Sequence, residues 1–181
     1  VAVMAETLRI IESTPAARPA VSGLSAAAAA VPAEAVWRRL EGWCAHRWGV
    51  RTAVILVQGG GVWEPRLRPW ALLGAERWDA GDWAPFAPAV HPMGFALDGY
   101  GEDPLRFTFE VGDATATPDV EEAFRRLAAW MSEAERELAA GTASLTDASD
   151  GDFSFKRAAQ WIARGLQASG AADLLRPWRH M

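Results

Sequence analysis

The chain has one cysteine, Cys44, and one lysine, Lys156. A lone cysteine excludes an intramolecular disulfide and says little about compartment. With lysine nearly absent, the bases are arginines, whose planar forks suit ion pairs at interfaces; a GC-rich genome gives the same usage. There is no run of 18 or more apolar residues, so a membrane span is not expected. Val1 to Ile11 lacks a basic start followed by a clean apolar stretch, and no signal peptide is expected there. Positive charge is short as well: the net charge of -5 argues against a general nucleic-acid binder, although not against a local basic surface. Gly59 to Gly61 lacks the lysine and hydroxyl residue of a phosphate loop. Asp147, Asp150 and Asp152 lack the glycine and closing glutamate of a calcium hand. His46, His91 and His180 are scattered and Cys44 lies two residues from His46, so no zinc-ligand run and no cysteine–histidine pair on one helix face is formed. No cofactor or metal is expected.

What the chain does have is tryptophan, ten of them, at 37, 43, 48, 63, 70, 78, 83, 130, 161 and 178. So many indoles cannot all lie deep in a small core, and some are expected at an interface, a groove or a seam. The apolar fraction of 50% is ample for burial in a chain of 181 residues.

The strongest periodic stretch is Thr117 to Ala140, where Val120, Phe124, Leu127, Met131, Ala134 and Leu138 recur at helical spacing. Thr117 suits the cap, Pro118 the first helical position, and Asp119, Glu121 and Glu122 the positive end of the dipole, with Gly141 as the stop. Upstream, Val1 to Ile11 reads as a short strand or an arm, and Leu24 to Ala30 as a short alanine-rich helix. Pro32 to about Trp48 reads as a helix with Val36, Leu40, Trp43 and Cys44 on its buried stripe. Its Arg38, Arg39 and Arg47 point to solvent or a partner. Arg51 to Gln58, Phe95 to Leu97 and Leu105 to Val111 read as strands; in the last, Leu105, Phe107, Phe109 and Val111 alternate with polar residues. Trp63 to Pro92 mixes prolines and tryptophans without a clean period, and an extended, loop-rich segment with short strands near Leu72 and Glu76 is expected. Beyond the polar loop Thr142 to Gly151, Phe155, Ala158, Ile162 and Leu166 mark a last helix, capped by Ser154 and stopped by Gly170. Ala171 to Met181 is a tail whose Leu174, Leu175 and Trp178 should dock on something. The expected fold is α+β, mainly α: a small bundle of three main helices with a loop-rich β insertion between helices and an extended C-terminal arm. Its parts are an N-terminal segment 1–31, a connecting domain 32–170 with the insertion at about 51–116, and the arm 171–181.

Charge is uneven. Trp78 to Leu105 holds five acids and no lysine or arginine, whereas Ser154 to Met181 holds five such bases against Asp173 alone. Opposite poles suit repeated association between copies, and an intramolecular match has the same pattern. Glu76, Asp79 and Asp82 beside Trp78 and Trp83 resemble a sugar groove with carboxylates, and equally a turn with aromatic anchors. No constellation makes an active site, and an enzyme is not expected.

Trp161 to Arg179, reading Trp-Ile-Ala-Arg-Gly-Leu-Gln-Ala-Ser-Gly-Ala-Ala-Asp-Leu-Leu-Arg-Pro-Trp-Arg, resembles the ending of the head-tail connector (head completion, adaptor) proteins of long-tailed phages and phage-like gene transfer agents. Arg106 to Gly112 followed by Pro118 to Leu127 is similar to that family's strand, proline and long helix, and Trp63-x-Pro65 with Trp78 to Trp83 looks like its central insertion. The likeness covers roughly Pro32 to Met181; the family's arm aromatic is tyrosine where this chain has Trp178. The resemblance implies a structural subunit of a ring, usually of twelve copies, between the portal protein and a stopper or tail-completion protein. Double-stranded DNA would pass through the lumen without sequence reading, in the neck of a virion or phage-like particle assembled in the bacterial cytoplasm, with no membrane contact. It implies portal or neighbour docking by Leu174, Leu175, Arg176, Trp178 and Arg179, and Arg38, Arg39, Arg47, Trp130, Trp161 and Arg164 are inter-subunit candidates. A carbohydrate-binding or hydrolytic module and a tail-side stopper are the rival readings.

Overall fold

The computed structural model describes residues 4–100, 103–139 and 164–179. They form two compact units, a β unit of Val1–Arg18 with His46–Ala114 and a helical unit of Pro19–Ala45 with Thr115–Met181. The mainly helical bundle is therefore corrected: among the described residues helix accounts for 31% and strand for 34%.

In the β unit the strands are β1 (Glu6–Glu12), β2 (Arg51–Gln58), β3 (Val62–Trp63), β4 (Trp70–Asp79), β5 (Asp82–Pro85), β6 (Ala89–His91), β7 (Gly94–Ala96) and β8 (Leu105–Val111). Five of them make a sheet in the order β1-β2-β8-β4-β5 and three a second sheet, β3-β7-β6, with every ladder antiparallel. Alternation decides which face is covered. Ala53, Ile55 and Val57 of β2 stand opposite Phe109, Phe107 and Leu105 of β8, and all six are buried. Trp63 and Phe95, paired between β3 and β7, join the same core, with ring centroids 4.9 Å (Trp63–Phe107) and 5.4 Å (Phe95–Phe107) apart. Each such side chain contributes about 1.5–3 kcal/mol by leaving water.

The segment expected to be loop-rich, with short strands near Leu72 and Glu76, holds more strand than that: one long strand, β4, runs through both positions, and β5 and β6 follow it. Its period is hidden by a bulge: β4 pairs Leu72 with Phe109 and Gly74 with Thr108, so Leu73 is the extra residue and stands 61% exposed. Beyond it, Ala75 returns to the core face opposite Phe107, and a regular two-residue pattern no longer reads through the strand. The prolines sit where no ladder donor is lost, Pro65 and Pro69 before β4 and Pro85 at the end of edge strand β5.

The helical unit is organised by α3 (Pro118–Ala139), against which α1 (Ala26–Ala30), α2 (Ala33–Trp43), α4 (Gly165–Ala168) and α5 (Ala171–Leu174) all pack. Val120, Phe124, Leu127 and Ala134 form its buried stripe, and Trp37 of α2 meets Phe124 at a 4.9 Å ring separation. Helix α2 ends at Trp43 rather than near Trp48, because Cys44 is already extended (φ -127°, ψ 161°) and His46 and Trp48 form strand bridges to Arg68 and Asp113. The expected stripe of the last helix from Phe155 to Ile162, and the Gly141 stop, lie outside the described residues.

The extended arm is also corrected. Gly170 takes a left-handed turn (φ 73°), α5 follows, and Arg176–Trp178 makes a 3₁₀ turn. Ala171 and Leu175, four apart, are both fully buried. An extended chain would have placed them on the same face only with Asp173 as well; the helical turn leaves Asp173 in solvent.

Candidate functional site

Two surfaces combine chemistry with exposure. The first is the C-terminal segment. Leu175 anchors it by burial, and the Trp178 indole Nε1 donates to Asp119 Oδ2 at 3.0 Å, in the first turn of α3. Asp119 also accepts from the Thr117 hydroxyl. Burial raises the Asp119 carboxyl, but these hydrogen bonds and nearby backbone amides outweigh it and hold the group below its ordinary range. The Arg179 guanidinium lies over the Trp43 ring, 4.5 Å from its centroid. Leu174 and Trp178 are half-buried, while Arg164, Arg176, Pro177 and Arg179 are exposed.

The second is the β4–β5 hairpin. Trp78 pairs with Trp83 and Asp79 with Asp82 across the turn, the indoles meeting edge to face at 5.3 Å. Arg106 lies over Trp83 at 4.4 Å and its Nε donates to Glu76 at 2.7 Å, a bond that holds the Glu76 carboxyl below its usual range. A glycosidic general acid needs the opposite shift.

A third cluster in the β unit serves folding. Glu12 accepts from Arg47 Nε at 2.8 Å and Nη2 at 3.0 Å, and from Arg51 Nη1 at 3.4 Å. Arg51 donates to the carbonyls of Trp48 (2.7 Å) and Gly49 (3.1 Å), and Arg18 donates to the same Trp48 carbonyl. Burial raises the Glu12 carboxyl, and the Arg47 hydrogen bond with the charges of Arg47, Arg51 and Arg18 overrides it, leaving the group below its usual range.

Among the expected inter-subunit residues, Arg38 is 72% exposed at its side chain and pairs with Glu34 one helical turn away. Arg39 is half-buried. Arg47 turns inward to Glu12, its side chain 15% exposed. Trp130 is buried, close to Gly165, where an added Cβ would come within 2.6 Å of its ring. Arg164 is exposed at the start of α4, and Trp161 lies outside the described residues. The dispersed thiol and imidazoles are engaged separately: Cys44 Sγ donates to the Leu40 carbonyl at 3.1 Å, His46 meets Asp113 at 2.8 Å, and His91 Nδ1 accepts from the Met93 amide at 3.2 Å. Among the described residues no group of three His, Cys, Asp or Glu side chains could hold a metal ion, and no helix is long and apolar enough to cross a membrane.

The sequence reading missed the apolar side chains left at strand edges: Leu8, Ile10 and Ile11 on β1, Val62 on β3, Val90 on β6 and Met93 beyond it, all exposed. β1 borders an open groove of about 590 Å³ lined also by Val62, Trp63, Glu64 and Arg66. Strand alternation in Thr7, Ile10 and Glu12, which stand opposite Val57, Ile55 and Ala53, was a faint signal broken by the bulge at Leu8. No family model, curated protein or solved structure matches this chain.

Proposed function

We propose that this chain is a structural head-tail adaptor subunit, one of a ring of copies seated below a portal, joining a DNA-filled head to a tail and lining the DNA exit channel. The observation that carries this reading is the C-terminal segment. The Ser169–Gly170 turn and the Leu-Leu-Arg-Pro-Trp-Arg sequence on which the resemblance rests close against the first turn of the long helix, with Arg176 and Arg179 outward. A neck subunit needs a rigid, surface-presented docking element of this kind. Supporting it are the apolar side chains left exposed on β1 and on the β6–β7 hairpin, which suit coverage by other protein molecules. The net charge of -5 also suits a channel through which DNA passes unheld.

In this reading Leu175 and Trp178 preorganise the segment and the exposed arginines make its contacts. A carbohydrate module draws support from Trp78, 40% exposed, but Trp83 is already covered by Arg106, and Glu76 is ionised and paired. A tail-side stopper of the same particle shares the surface logic. Co-sedimentation with portal rings from the same particle tests the adaptor assignment: the adaptor pellets with the rings in fixed stoichiometry, and rings that pellet without it refute the assignment. Saturable quenching of tryptophan emission by polysaccharide would favour the carbohydrate module.

A further inference from the structure

Resting on the ring reading above, we infer that neighbouring copies are joined by arginines of the C-terminal segment of one copy docking on the β4–β5 hairpin of the next. The donor surface is cationic. Of the charged residues between 164 and 179, Arg164, Arg176 and Arg179 face one acid, Asp173. The Arg176 side chain is 83% exposed and its contact with Asp173 is 3.6 Å long, a pair of the kind that contributes little and yields to a better partner. Arg179 is directed by its stacking on Trp43 and remains exposed.

The acceptor surface supplies what an arginine fork needs, carboxylates beside an aromatic face. Asp79 and Asp82 stand opposite each other at the turn, and the Trp78 amide donates to the Pro104 carbonyl at 3.0 Å, which brings exposed Asp103 to the same end. Trp78 is 40% exposed there, and β5 is the outermost strand of its sheet. Arg77 meets Asp79 at 3.3 Å, again between exposed side chains, and leaves the end net acidic. One row along the same hairpin the chain already makes this type of pairing internally, with Arg106 stacked on Trp83 and bonded to Glu76.

Donor and acceptor are different surfaces of one chain, so each copy can give one contact and receive another. That is the heterologous geometry from which rings close. Charge attraction brings the surfaces together, and the guanidinium–carboxylate and guanidinium–indole contacts fix the register.

The test uses the full chain alone, with no portal present, so its result is independent of the neck assignment. Sedimentation is followed up to millimolar concentration at low ionic strength, where charges act over about 30 Å, and again at high salt. Wild type associates with concentration at low salt and dissociates at high salt. Arg176→Ala with Arg179→Ala, and separately Asp79→Ala with Asp82→Ala, each stay monomeric and folded; all four side chains are exposed, so melting falls by only a few degrees, in the first pair through loss of the Arg179 stacking on Trp43 and in the second through loss of the Arg77–Asp79 contact. Mixed in equal amounts, the two variants form one-to-one pairs and nothing larger, because each retains one half of the contact. Wild type that stays monomeric throughout, variants that associate like wild type, or a mixture that stays monomeric would overturn the inference.

Discussion

Truncating Leu175 to alanine separates a folded C-terminal segment from a free arm. Leu175 is completely buried, and removing such a side chain costs about 2–5 kcal/mol, the transfer loss plus the cavity left behind. Leu174, its neighbour, is half-buried, and Leu174→Ala costs about 1 kcal/mol. For a unit the size of the helical one, each kcal/mol lowers the melting temperature by roughly 4–8 °C. Leu175→Ala therefore melts roughly 12–24 °C below wild type at a cost near 3 kcal/mol, and Leu174→Ala only about 4–8 °C below. Far-UV circular dichroism against temperature, with urea midpoints at constant slope as a cross-check, measures both. Equal, small losses in the two variants would mean that the segment does not pack on α3 and that Leu175 is not buried there.

Glu12→Ala leaves the Arg47 and Arg51 guanidinium groups, 15% and 5% exposed, without their carboxylate; a loss of about 3 kcal/mol in urea unfolding is expected, and a loss below about 1 kcal/mol would contradict it. Gly94→Ala forces a side chain at φ 137° with its Cβ 2.2 Å from the Trp63 carbonyl oxygen, so it destabilises the β unit by more than 1 kcal/mol, read as a lowered urea midpoint; a neutral result would remove the β3–β7 pairing. Asp119 is held below its ordinary range by Thr117 and Trp178, so its contribution is fully present above the unfolded carboxylate value and is lost as pH falls through the folded one. The Trp178 indole N–H resonance keeps its hydrogen-bonded position down to about pH 4 and moves only below it; release at higher pH would show that the bond is not made.

The long helix was legible because every signal agreed. Cap, proline, acidic first turn and stripe gave Thr117 to Ala140, against Pro118–Ala139. β2 and β8 were legible for the same reason, since each has one covered face and an unbroken period of two. β4 was legible only as short strands near Leu72 and Glu76, because the extra residue Leu73 moves the buried set from Trp70 and Leu72 to Ala75, and a pattern read in fixed steps does not join the two halves into one strand. Helical spacing continued to Trp48 puts Arg47 on a helix face, but the helix stops at Trp43: bridges from His46 and Trp48 to distant Arg68 and Asp113 capture the chain there, and contacts so far apart in sequence leave no local mark. The C-terminal segment carried a readable sign that went unused. Ala171, Leu175 and Trp178 are four and three apart, the spacing of a helical turn behind a left-handed glycine. Of the candidate surface, the arginines were visible in composition, whereas the partnership of Trp178 with Asp119 joins residues 59 apart and required the fold.

The role proposed for this chain is that of a ring-forming subunit at the neck of a particle. Electron cryomicroscopy of intact particles, reconstructed with the symmetry of the neck, tests it most directly. The expected density is a closed ring of this chain against the portal, with Arg176 and Arg179 of each copy on the β4–β5 hairpin of its neighbour. Particles whose portal is followed by other protein, with this chain absent from the neck, would contradict it.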